Sequence, residues 1–131
     1  MNELRVLVCG GRNYSNIPKI YEILDILYEV SQQSKNDSIN LSENKIVLIQ
    51  GGAKGADRIA SMWAKDRNVE QEEYQADWTT YGKSAGFIRN SLMLKVGKPD
   101  MVIAFSGGEG TKMMINIALK AGVPVEIIKE K

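Results

Sequence analysis

Three short apolar runs punctuate the chain, LRVLVC (4–9, broken only by Arg5), IVLI (46–49) and MVIAF (101–105), and a glycine pair follows each of them closely. Unbroken Val, Ile and Leu runs, unlike alternating ones, belong to strands covered on both faces, which means a parallel sheet with helices on either side. Between the runs the period becomes helical. Behind Ser15 and Asn16 as cap candidates, with Pro18 in the first turn, Ile20, Ile23, Leu24, Leu27 and Tyr28 form one apolar stripe. Ala56, Ile59, Ala60, Trp63 and Ala64 form a second. A third, less regular pattern from about Ser84 to Val96 puts Ala85, Ile88, Leu92 and Val96 near one face. Met114, Ile117, Ala118 and Ala121 make a fourth, with Gly122 as a stop signal and Pro124 beyond it. A short strand is expected within Val69 to Tyr74 and a last one over VPVEII (123–128), while the polar stretch 31–44 reads as a surface loop. The alternation predicts a doubly wound α/β fold with right-handed crossovers.

Composition narrows the chemistry. The chain of 131 residues, 44% hydrophobic and 25% charged, suits one domain over 1–131. It has no histidine, which removes Ser-His-Asp and Cys-His arrangements and any zinc site built on imidazole. One cysteine, Cys9, cannot complete a thiolate cage or an intrachain disulfide; within an apolar run it should be buried and inert, and no metal is expected. No apolar run approaches the ~20 residues that span a bilayer, and MNELRVLVCGG has no leader pattern, so a cytoplasmic location without a membrane partner is expected. A net charge of +1 supplies no global field for nucleic acid.

Eight of the 12 glycines lie at the strand ends: Gly10, Gly11, Gly51, Gly52, Gly55, Gly107, Gly108 and Gly110. In an open parallel sheet this is the edge where ligands bind. A strand that stops in Gly-Gly and turns into a helix presents amides and the positive end of the helix dipole, which suit a phosphate. The alternative is that the glycines only allow tight turns and close packing. Cations lie near the loops at Arg12, Lys54, Arg58, Arg89 and Lys112, and Arg12, Arg58 and Arg89 are the favoured phosphate partners because guanidinium binds bidentately. Asp57 either meets a ribose hydroxyl or caps its helix, and Glu109 either acts on a ligand or faces water. Glu70, Glu72 and Glu73 read as a solvated edge. Trp63 belongs to the core stripe; Trp78 and Tyr81, in a polar segment, are candidates to stack on a base. YGKSA (81–85) imitates the end of a P-loop, but Asp77 stands where its first glycine belongs and no apolar strand precedes it.

Four linked strings, CGGRNY (9–14), QGGAKGADRIASMWA (50–64), ADWTTYGKSAGFIRN (76–90) and IAFSGGEGT (103–111), resemble the signature of SLOG-type Rossmann-like proteins related to YpsA. The resemblance implies a five-stranded parallel sheet ordered 3-2-1-4-5 and binding of a nucleotide or nucleotide-derived ligand. With Asn90 and Thr111 from the same strings, the loop glycines, Arg12, Asp57, Arg58, Trp78 and Arg89 make up the expected ligand site. The wider superfamily includes LOG phosphoribohydrolases, whose loop reads PGGxGTxxE. Here Ser106 stands for the proline and Met114 for the glutamate, and a thioether cannot stabilise an oxocarbenium-like centre or activate water.

The leading expectation is therefore a binding module, a sensor or sequestering protein that needs no cofactor. An N-glycosidic hydrolase using Glu109 or Asp57 is the alternative. A single-stranded DNA binder like DprA, also in the superfamily, finds little support in the charge. Pairing of copies through helices is compatible with the sequence, which does not choose a state. A site of amides and arginines should bind with little pH dependence between about pH 6 and 8.

Overall fold

The computed structural model describes residues 2–36 and 44–130. Five parallel strands form one sheet in the order β3-β2-β1-β4-β5, as the resemblance implied: β1 (Asn2–Cys9), β2 (Asn44–Gln50), β3 (Glu70–Glu73), β4 (Met101–Ala104) and β5 (Val125–Ile127). β1 is central, with Val6 opposite both Leu48 of β2 and Met101 of β4. Val6, Leu7 and Val8 are each buried to within 1%, so successive side chains enter different halves of the core. One half packs Val6, Val8 and Leu48 against Ile20 and Leu24 of α1 (Ile17–Asn36) and Ile59, Ala60 and Trp63 of α2 (Ala56–Asp66). The other packs Leu7, Cys9 and Ile49 against Met93 of α4 (Ala85–Lys95) and Met114 and Ala118 of α5 (Glu109–Lys120). Trp63 is core as expected, its indole N–H donating to Asp25 at 2.8 Å.

Local signals set the ends of the helices. The Asn16 side chain accepts from the Lys19 amide at 3.1 Å and caps α1. Gly122 takes φ +79° just beyond α5, a backbone that a side chain would disfavour. Between β3 and α4 the chain makes a one-turn helix, α3 (Trp78–Tyr81), capped by Asp77, and a 3-10 turn over Gly82–Ser84. YGKSA is thus a helix entry and not a phosphate loop.

Three expectations need correction. α1 runs on through Asn36, so residues 31–36 of the expected loop are helical; Gln and Lys propagate a formed helix at one hydrogen bond per residue even without an apolar stripe. Asn44 starts β2, and residues 37–43 lie outside the described residues. The stripe assigned to α4 faces the core only at its start: Ala85 is buried as expected, but Leu92 and Val96 are 47% and 59% exposed, and Asn90 and Met93 are buried in their place. Finally, the acidic strand is an edge, but its carboxylates are paired. Glu72 accepts from Arg5 at 2.6 Å, Glu70 from Lys45 at 2.8 Å, and Glu73 from the Gln50 amide at 2.9 Å.

Candidate functional site

At the carboxyl ends of β1, β2 and β4 the loops leave a cavity of about 380 Å³. Its walls come from every element the sequence singled out: Gly10, Gly11 and Arg12 after β1, Asp57 at the start of α2, Trp78 from α3, Arg89 and Asn90 from α4, and Gly108, Gly110 and Thr111 at the start of α5. Lys83 adds a third cation. The Arg12 guanidinium lies 5.2 Å from the centre of the half-exposed Trp78 ring.

Arg89 is fixed rather than free. Its Nε donates to Asn90 Oδ1 at 3.0 Å and a terminal nitrogen donates to the Gly51 carbonyl. Asn90, 6% exposed, also donates to the Gly110 carbonyl at 3.2 Å. It therefore ties α4 to the first turn of α5 while itself lining the cavity. Burial draws the Arg89 pKa below its ordinary value; Asp57 opposes this and Arg12 adds to it. The guanidinium is held against both desolvation and a like charge, a setting in which an anion would be stabilising.

Asp57 is 7% exposed, and one carboxylate oxygen accepts the amides of Gly51 at 3.1 Å and Ala53 at 3.3 Å. Burial pushes its pKa up to about 6, against the opposing pull of those amides and of Arg89. A protein without histidine thus carries a cavity group that titrates near neutrality. Cys9 touches the same cavity, but burial and the Asp57 charge push its thiol up to about 12, and it stays protonated and inert.

The two later glycine loops differ in what they leave open. In GGAKG the amides of Gly51 and Ala53 go to Asp57, that of Gly52 to the Gln50 side chain at 2.6 Å, and that of Ala56 to the Gly11 carbonyl at 3.2 Å. A Cβ at Gly55 would fall inside the Gly11 carbonyl oxygen, and one at Gly51 would lie 2.6 Å from the Arg89 guanidinium. Those glycines serve close packing. In GGEGT, Gly107 is packed the same way against Thr111 and Gly11, yet added Cβ atoms at Gly108 and Gly110 would meet nothing within 4 Å. No side chain caps the first turn of either α2 or α5.

Several expected site residues stay outside the cavity. Gly51, Gly52 and Gly55 shape it from behind, and Gly107 lines a neighbouring groove. Arg58 sits on the exposed face of α2, one position beyond the residue that turns inward, and does not reach the cavity. Glu109 points to solvent, 85% exposed, 3.6 Å from Lys112. Tyr81 is exposed and lines no wall. Met114 is fully buried in the core. Sequence reasoning missed Gln50, buried to 1%, which braces the first loop, and Phe87, half-exposed at the cavity wall. Gln50 was legible as the polar last residue of an apolar strand; Phe87 carried no signal apart from its proximity to Arg89. Among the described residues no three His, Cys, Asp or Glu side chains gather where they would hold a metal, and no helix is long and apolar enough to cross a membrane.

Known proteins align with this architecture. The "Gene 61 protein" of Mycobacterium phage D29 is 35% identical over 128 residues, covering 92% of this chain and 93% of its own length. It therefore spans the α4 and α5 segments that carry Arg89 and GGEGT. Residues 4–81, from β1 through α3, match the family described as YspA, cpYpsA-related SLOG. With the 3-2-1-4-5 sheet, these matches establish that the chain belongs to the cpYpsA-related SLOG family.

Proposed function

We propose that the protein binds a nucleotide or nucleotide-derived ligand in the cavity at the end of the sheet. One observation carries the reading: Arg12, Lys83 and Arg89, the exposed Trp78 ring, and the uncapped start of α5 at Gly108 and Gly110 converge on one 380 Å³ space. Cations and a helix N-terminus answer a phosphate, and an aromatic ring beside them answers a base. Family membership supports the same class of ligand. The test is a thermal-shift panel of mono-, di- and cyclic nucleotides. A ligand at 100 times its dissociation constant adds about 2.7 kcal/mol, and no response across the panel contradicts the proposal.

A second reading, hydrolysis of a nucleotide N-glycosidic bond, draws on Asp57 alone: a cavity carboxylate with a pKa of about 6 lies in the range of a general acid or base. Chromatography of nucleoside monophosphates incubated with the protein decides it. Release of free base that disappears in Asp57→Asn favours the enzyme, and no release favours the binder.

A further inference from the structure

A second groove of about 500 Å³ adjoins the cavity and shares Gly11, Arg12 and Gly108 with it. It runs over the ends of β1 and β4, where the strand order reverses. The chemistry of the two spaces differs sharply. The cavity holds Lys83 and Arg89 besides Arg12, whereas the groove adds only neutral polar groups, among them Asn13, Ser15 and Ser106. Its outer wall is stiffened by Glu130, which accepts from Tyr14 and from Asn16 at 2.8 Å. The Tyr14 ring packs on Phe105 with centroids 5.3 Å apart. Among the described residues, Arg12 is the one cation that lines both spaces.

We propose that the ligand is bipartite: a phosphate-bearing nucleotide half in the cavity, joined across Arg12 to a neutral, hydrogen-bonding half in the groove. Resting on the nucleotide reading above, this narrows the class to nucleotides whose phosphate is esterified to a second sugar or nucleoside. A terminal phosphate would leave the groove's hydroxyl and amide groups to water. A second ribose supplies them with partners, each such contact worth a factor of a few in affinity.

The experiment is a calorimetric series over four bases: nucleoside monophosphates, nucleoside diphosphates, and the symmetrical 5′,5′-dinucleoside diphosphates. For the preferred base, the dinucleoside diphosphate should bind about tenfold more tightly than the nucleoside diphosphate. Ser106→Trp, which fills the groove, should bring that ratio to about one. Asn13→Ala with Ser15→Ala, which removes partners without adding bulk, should lower it severalfold; circular dichroism and melting confirm that each variant folds. Equal affinity for the two ligand types, or a ratio unchanged in both variants, overturns the bipartite ligand and leaves nucleotide binding standing. Binding of none of the series overturns the nucleotide reading itself.

Discussion

GGAKG after β2 and GGEGT after β4 look alike in sequence and do different work in the structure. Each begins with two glycines at a strand end and leads into a helix. In the first, the amides of Gly51, Gly52, Ala53 and Ala56 are already bonded inside the protein, and Gly55 is pressed against the backbone of Gly11 and Arg12. In the second, Gly108 and Gly110 border open space at the helix start. A glycine pair at a strand end is therefore no measure of anion binding. What matters is whether the amides it frees are taken again nearby: Asp57, Gln50 and the Gly11 carbonyl take them in the first loop, and among the described residues no side chain takes those at the start of α5.

The sharpest way to break this contrast is to add one methyl group to each loop. Gly55 has φ +78° and no room for a Cβ, so Gly55→Ala should cost at least about 3 kcal/mol in urea denaturation. Gly110→Ala meets nothing within 4 Å inside the first turn of α5, so it should leave stability equal or up to about 1 kcal/mol higher while weakening nucleotide binding. If both variants are equally destabilised, the two loops share a packing role and the contrast fails.

Asp57, which closes the first loop, sharpens it next. Its folded pKa of about 6 lies above the ordinary aspartate value of 3.8, so the folded state holds a proton that the unfolded state has lost between those values. Stability attributable to this group is thus full below about pH 4 and falls as pH rises towards 6. Asp57→Asn keeps an acceptor for the amides and removes the titration. Its stability relative to the parent should climb by roughly 2 to 3 kcal/mol from pH 4 to 7, measured by denaturation at each pH. A flat difference would place the carboxylate in an ordinary, solvated setting.

Between the loops stands Arg89, bonded to Gly51 on one side and held by the Asn90 that grips Gly110 on the other. Arg89→Ala should weaken nucleotide binding roughly tenfold to a hundredfold by calorimetry, as loss of a charge-assisted contact does. Arg58→Ala is the counterpart on the exposed side of α2, with stability within about 0.5 kcal/mol and unchanged affinity. An equal loss in both would mean that net charge, rather than the cavity, binds the ligand.

The frame of the molecule was legible in the sequence because consecutive buried residues such as Val6, Leu7 and Val8 admit only a doubly covered strand. As residues that meet at one cavity, Arg12, Gly108 and Gly110 were legible from their position after strand ends, Trp78 from its polar segment and Arg89 from its place in the third helical pattern. The phase of α4 was not. Its inward face carries Asn90, a polar residue that points at the loop carbonyl of Gly110, so hydrophobic periodicity selected the opposite, exposed side through Leu92 and Val96. Arg58 failed for a related reason: a helix turns by 100° per residue, and adjacency to Asp57 in sequence sends its neighbour outward. The pKa of Asp57 needed the burial that only the closed loop supplies.

Backbone amide shifts on titration with inorganic pyrophosphate, a diphosphate that carries no base preference, test the difference between the loops most directly. The account predicts the largest shifts at Glu109, Gly110 and Thr111, with Gly51, Gly52 and Ala53 moving little because their amides are bonded to Asp57 and Gln50. Largest shifts at Gly51 to Ala53, with the start of α5 unmoved, would contradict it.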